Sequence, residues 1–133
     1  MHLLSTPLFQ NQDLEGNVTF INDNFTKITG YTKEEILGKS HNLLRHPSNG
    51  VEVYQDLWNT ITKGKVWRER VLNRNKDGSD FWADTIIIPF KDAKSGKVLQ
   101  YLAIRHDITE FLQKERTANE IKRKAEEQAE LSE

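Results

Sequence analysis

The chain has 133 residues, 36% of them apolar and 29% charged, and its 19 basic and 20 acidic side chains nearly cancel. This length favours one domain with one modest core, and the charge balance gives no electrostatic case for nucleic acid or an anionic membrane surface. The absence of cysteine excludes disulfides, thiolate metal sites and photochemistry through a cysteinyl adduct. No apolar run approaches the length that crosses a bilayer, so we expect a soluble, cytoplasmic domain.

The first half of the chain predicts two strands, two short helices, a polar loop and a longer helix. These segments are Leu8–Asp13, Val18–Ile21, 22–30, 32–38, 39–50 and Val51–Thr62. Strand formers flank turn residues around Gly16, which is typical of a hairpin. Asn22 or Asp23 can cap the first helix, and Thr32 begins a capping-box pattern for the second. The third helix has apolar residues at helical spacing and a stop at Gly64.

Three longer strands are predicted in the second half, at Val66–Arg74, Phe81–Phe90 and Val98–Ile108. Tight turns, one with the Asp77-Gly78 pair, join them. Strands joined by such short turns must be antiparallel, because parallel neighbours need a long crossover. The helices lie between Val18–Ile21 and Val66–Arg74, which are the second and third strands of the whole chain. They can cover one face of the sheet, which gives an α+β fold.

Residues 109–133 differ in composition from the body of the chain at residues 1–108. They carry five basic and seven acidic side chains and no glycine or proline, a composition that favours helix. A weak coiled-coil seam at three-four spacing contains Phe111, Ala118, Ile121, Ala125 and Ser132. A helix that continues to Glu133 without a stop signal predicts a connector to an effector outside this chain. The alternative is a solvated, partly frayed helix.

Several short phrases, in this order of elements, resemble those of PAS sensor domains. They are Asp13-Leu14-Glu15-Gly16-Asn17, Asn22…Phe25…Gly30-Tyr31, Glu35-Ile36-Leu37-Gly38, Asn75-Lys76-Asp77-Gly78 and Arg105-His106-Asp107-Ile108-Thr109. The resemblance covers residues 5–110. It implies a five-stranded antiparallel sheet with short helices on one face and a C-terminal signalling helix.

Two closer resemblances point to flavin. The segment His41-Asn42-Leu43-Leu44-Arg45-His46-Pro47 is similar to one in the FAD-binding PAS domains of bacterial aerotaxis receptors. The phrases Lys65-Val66-Trp67, Leu72-Asn73-Arg74 and Phe81-Trp82 are similar to those of flavin-binding PAS domains in redox regulators. Both resemblances imply a cofactor held between the helices and the inner face of the sheet.

The resemblance nominates six cofactor-binding residues. Trp67 would form an aromatic wall beside the flavin ring, and Asn73 would pair its amide with polar ring edges. Arg45 would hold FAD oxygens through its forked donors. His46 would hydrogen-bond the flavin or, alternatively, ligate haem iron. The weaker candidates are His41 and Asn42. Each of the four stronger candidates has a competing structural interpretation. These are core packing for Trp67, a cross-strand hydrogen bond for Asn73, a solvated surface position for Arg45 and a role in ordering the loop for His46.

The resemblance therefore predicts a redox- or oxygen-sensing module with noncovalent FAD, not an enzyme, because no nucleophile, zinc-protease, Walker or kinase motif occurs. We expect a homodimer through the N-terminal segment and the C-terminal helix, relaying to a chemoreceptor, cyclase or kinase domain. The alternatives are a haem-binding or small-metabolite PAS sensor and a ligand-free dimerisation module.

Overall fold

A single five-stranded antiparallel sheet forms the centre of the computed structural model, which describes residues 6–132 apart from the side chain of His41. The strands are β1 (Leu8–Gln12), β2 (Val18–Ile21), β3 (Trp67–Arg74), β4 (Asp80–Lys91) and β5 (Val98–Asp107). Their order in the sheet is β2-β1-β5-β4-β3, and every neighbouring pair is antiparallel. The α+β prediction is thus confirmed.

The described residues form four α-helices beside the sheet: α1 (Asp23–Thr29), α2 (Lys33–Ile36), α3 (Val51–Ile61) and α4 (Thr109–Leu131). The predicted capping box of Thr32 and Glu35 is present. One detail differs from the prediction, since a 3-10 turn spans His41–Leu44 within the segment expected to be an irregular loop. The Ser40 hydroxyl accepts the N–H of Asn42 at 3.2 Å and caps this turn.

Two apolar clusters make up the core between the helices and the inner face of the sheet, because side chains alternate between the two faces of each strand. The first cluster contains Leu8, Val18, Ile21, Phe25, Ile36, Leu44, Phe81 and Ala83. The second contains Leu57, Ile61, Trp67, Val71, Ile87, Tyr101 and Ala103. Buried polar residues lie on the same face: Gln10, Gln12, Asn73, Thr85 and Arg105.

Asn22 connects the hairpin to the first helix. Its side-chain oxygen accepts the N–H groups of Phe25 at 3.1 Å and Phe9 at 3.0 Å, and its amide donates to the Pro7 carbonyl at 2.9 Å. The first contact is an N-cap, which satisfies one of the free N–H groups of a helix start. The other two hold β1 against the start of α1.

The terminal helix α4 has no buried residue. Ion pairs lie along its own surface, between Glu110 and Lys114 and between Arg123 and both Glu120 and Glu127. Within residues 6–132, no helix is long and apolar enough to cross a membrane.

We predict that Asn22→Ala lowers the free energy of unfolding by about 1–3 kcal/mol, because it removes a cap and leaves part-buried groups unpaired. Urea denaturation followed by circular dichroism measures the change. Asn119→Ala, at an exposed position on α4, is the control and should shift stability by less than about 0.5 kcal/mol. Equal effects of the two variants would contradict the proposed role of Asn22.

Candidate functional site

A small cavity of about 40 Å³ lies between α3, the 3-10 turn and the inner face of the sheet. Its polar lining consists of Gln12, Arg45, Tyr54, Asn73, Thr85 and Arg105, and apolar side chains from both core clusters complete the wall. This volume has room for very few water molecules. A ligand the size of a flavin ring therefore requires outward movement of the side chains on the helical side.

Trp67 contributes one apolar wall and is also anchored. Its alternation with Val71 and Asn73 places all three on the buried face of β3, as the charge pattern of the strand predicts. The indole Nε1 donates to Oδ2 of Asp56 on α3 at 2.9 Å. The ring is consequently fixed in orientation, and its hydrogen bond ties α3 to the strand that carries Asn73.

Asn73 presents an unused donor to the cavity. The residue is 5% exposed, and within residues 6–132 its side-chain Nδ2 is buried with no hydrogen-bond partner. A buried donor without an acceptor costs about 1–3 kcal/mol. An acceptor atom on a bound ligand would remove this cost.

Arg45 is brought next to Asn73 by an isolated antiparallel bridge between their backbones. Its guanidinium carbon lies 3.6 Å from the centroid of the Tyr54 ring, a cation–π contact. Its Nε is buried and has no partner in the part of the chain that the structure describes. Burial lowers the pKa of Arg45 from its ordinary value, and the nearby Tyr54 opposes this shift.

Two further loop candidates, His46 and Asn42, are not among the residues that line the cavity. Nδ1 of His46 accepts the N–H of Ser48 at 3.0 Å, and its Nε2 lies 3.2 Å from Oδ2 of Asp80 and 3.2 Å from Nη2 of Arg74. Both ring nitrogens thus have partners in the loop and the neighbouring hairpin. Asn42 is exposed, and its carbonyl accepts the N–H of Arg45 at 3.0 Å. The predicted contact of His41 lies outside the described residues, because its side chain is not among them.

Arg105 is a charged cavity residue that was not among the six candidates, and the polar lining residues Gln12, Tyr54 and Thr85 were not among them either. It lies on β5 and is 7% exposed, and its Nη1 donates to Oε1 of Gln10 at 2.7 Å. Gln10 in turn donates to Oε1 of Gln12 at 3.2 Å. A usable signal was present in the sequence, because Arg105 is in phase with Tyr101 and Ala103 on the buried face of the strand.

A short series of contacts connects the cavity wall to the start of α4. Asn73 pairs with Phe81 in the β3–β4 ladder, and the next residue, Trp82, bonds to the helix start. The Trp82 carbonyl accepts the N–H of Ile108 at 2.9 Å, and the Trp82 N–H donates to the Thr109 hydroxyl at 2.9 Å. We call these contacts, with the bond from the Thr109 N–H to Asp107, the β4–α4 junction.

Comparison with known proteins identifies the family to which this fold belongs. A family model described as a PAS domain matches residues 5–110. The chain belongs to the PAS domain family. This PAS domain is 35% identical over 105 residues to the aerotaxis receptor of Escherichia coli, covering 79% of this chain and 20% of the receptor. It is 31% identical over 97 residues to a nitrogen fixation regulatory protein of Klebsiella pneumoniae, covering 73% and 19%. The chain therefore spans about a fifth of these relatives.

Solved structures agree with the PAS fold. The light-state structure of the Aureochrome1 LOV photoreceptor matches with a TM-score of 0.73 at 24% identity, covering 85% of this chain and 90% of that one. A Light-Oxygen-Voltage domain studied with a flavin analogue matches with a TM-score of 0.72 at 25% identity, covering 87% of each chain. This PAS domain has no cysteine, so adduct photochemistry stays excluded for it.

We predict that Thr109→Val loosens the β4–α4 junction, because it removes the hydroxyl that accepts the Trp82 N–H. Leaving this N–H unpaired should cost about 1–3 kcal/mol. Amide hydrogen exchange should become faster at Trp82 and in the first turn of α4. Thr117→Val, at an exposed position on α4, should leave both rates unchanged; unaltered exchange in Thr109→Val would contradict the assigned contact.

Proposed function

We propose that this PAS domain is a redox- or oxygen-responsive sensory module that binds FAD noncovalently and relays its state through α4 to a downstream effector. The observation that carries the proposal is the pair of unpartnered buried donors, Nδ2 of Asn73 and Nε of Arg45, in one cavity. A flavin ring carries several acceptor atoms along its polar edge. A bound flavin would supply acceptors for these two donors, which have no partner within residues 6–132.

The residues present fit the parts of FAD that the resemblance assigns to them. Asn73 offers an amide donor, and Trp67 offers a flat apolar surface beside it. Arg45 offers forked donors suited to phosphate oxygens. When bound, FAD supplies reversible electron transfer, while these side chains orient it and exclude water.

The side chains of the cavity and the β4–α4 junction suggest how a change in the ligand reaches α4. A gain or loss of a hydrogen bond at Asn73 changes the free energy of its local conformation by about 1–3 kcal/mol. The β3–β4 pairing places Phe81 opposite Asn73, and Trp82 follows with its contacts to Ile108 and Thr109. A difference of this size is enough to shift a balanced two-state element at the junction.

The alternatives differ in what supports them. A haem sensor needs an axial ligand such as histidine, and none of the described residues lining the cavity is a histidine. The cavity volume of about 40 Å³ is the observation that favours a ligand-free dimerisation module. Ligand binding therefore discriminates between the two leading functions.

We predict that the purified protein binds FAD with a perturbed flavin absorption spectrum, and that Asn73→Ala weakens binding about tenfold, the equivalent of about 1.4 kcal/mol for one buried hydrogen bond. Titration of FAD followed by flavin absorbance and fluorescence measures the affinity. Asn11→Ala is the matched control, since this β1 asparagine faces the other side of the sheet. Protein that retains no FAD after reconstitution would overturn the proposal in favour of the ligand-free module.

We also propose a homodimer in which the C-terminal helices pair, with the cytoplasm as the location. Phe111 is 55% exposed and Ile121 is 64% exposed, and both belong to the predicted seam. The N-terminal segment assigned to the same dimer lies largely outside the described residues, which begin at residue 6.

We predict that Phe111→Glu with Ile121→Glu converts the dimer to a monomer, because charges at seam positions repel across a paired coil. Sedimentation velocity gives the molecular weight. Gln113→Glu with Asn119→Glu, at exposed positions on the side of the helix away from the seam, should remain dimeric. A wild-type chain that sediments as a monomer at high micromolar concentration would refute the pairing.

A further inference from the structure

Arg105 carries a buried positive charge without a counter-ion. Within residues 6–132, no aspartate or glutamate lies within ion-pair distance of its guanidinium, and its hydrogen-bond partner is the neutral amide oxygen of Gln10. Burial lowers the pKa of Arg105 to about 10. The side chain therefore remains protonated at neutral pH, and the charge stays inside the protein.

An uncompensated buried cation is unfavourable. Moving a charged group out of water costs several kcal/mol unless an opposite charge offsets it. A single neutral acceptor offsets only a part of this cost. The chain retains a charge on the inner face of β5, where the in-phase neighbours Tyr101 and Ala103 are apolar or weakly polar.

The rest of the cavity does not compensate this charge. Its described lining contains a second cation, Arg45, and no acidic side chain. The other polar members of the lining, Gln12, Tyr54, Asn73 and Thr85, are neutral. The described lining of the cavity thus contains two arginines and no carboxylate.

We propose that Arg105 is the anion-receiving group of the cavity, and that it binds the negatively charged edge of the ligand. This inference rests on the proposed function in one respect: if flavin is the ligand, Arg105 would favour a reduced, anionic ring over the neutral oxidised ring. The charge of the ligand, and not only its shape, is then a determinant of specificity.

Reduction of a bound flavin would take up two electrons from the reductant, dithionite in the experiment below, and one proton from solvent, and the product would carry one negative charge. Arg105 takes no part in the electron transfer and keeps its proton. Its effect is on the relative affinity for the two forms, which sets the midpoint potential of the bound couple.

The first experiment measures the midpoint potential of protein reconstituted with FAD, by titration with dithionite. We expect Arg105→Gln to reduce the preference for the reduced form at least tenfold, which lowers a two-electron potential by about 30 mV or more. Arg105→Lys retains the charge and should stay closer to wild type. Arg70→Gln, on the exposed face of β3, is the matched control and should leave the potential unchanged.

The second experiment uses the ligand-free protein and formate as a small anionic probe. The thermal midpoint is measured with and without formate at constant ionic strength. Formate should raise the midpoint of wild type and of Arg70→Gln but not that of Arg105→Gln. In the absence of formate, Arg105→Gln should be at least as stable as wild type, because it removes an uncompensated charge, whereas a purely structural arginine would leave the variant less stable.

The outcomes separate the two proposals. If FAD binds and the potential is the same in wild type and Arg105→Gln, the role of Arg105 is refuted while the flavin function stands. If FAD does not bind to wild type, the flavin function fails, and the formate experiment decides for or against an anion site. Equal formate responses in wild type and Arg105→Gln refute the anion site.

Discussion

The antiparallel pairing of β3, β4 and β5 is the constraint on which the rest of this structure depends. It determines which side chains face the helices, because a one-residue slip would exchange the two faces of a strand. In the observed register, Trp67 lies opposite Ile87, and Ile87 opposite Ala103. Apolar layers on three strands therefore coincide, and the polar residues Asn73, Thr85 and Arg105 are enclosed by the same pairing.

Buried polar residues on the inner face of the sheet make this core different from an all-apolar core. An all-apolar inner face would be filled by packing alone, whereas Gln10, Gln12 and Arg105 form a chain of hydrogen bonds. Such networks are stabilising only when their members are satisfied. Within residues 6–132, Nδ2 of Asn73 and Nε of Arg45 have no hydrogen-bond partner, so this cavity differs from a packing defect between apolar side chains.

Most of the fold could be predicted because local signals and strand alternation agree. The strands, the capping box at Thr32 and the buried face of Trp67, Val71 and Asn73 follow from patterns within a few residues of each other. The resemblance also led to Arg45, which lines the cavity. The contacts of His46 could not be predicted, because Asp80 reaches it through pairing between distant segments. Arg105 was missed because an arginine in a strand ordinarily faces solvent, although its phase with Tyr101 and Ala103 placed it inside.

The exposure of α4 has a consequence for how its structure is maintained. A helix of 23 residues with no buried side chain lacks the tertiary packing that usually stabilises helices, and forming its first turn is the unfavourable step. The contacts of Trp82 with Ile108 and Thr109 hold that first turn in place. The sheet therefore acts as the nucleus for the helix, and the helix–coil equilibrium of the whole segment is coupled to two hydrogen bonds at its base.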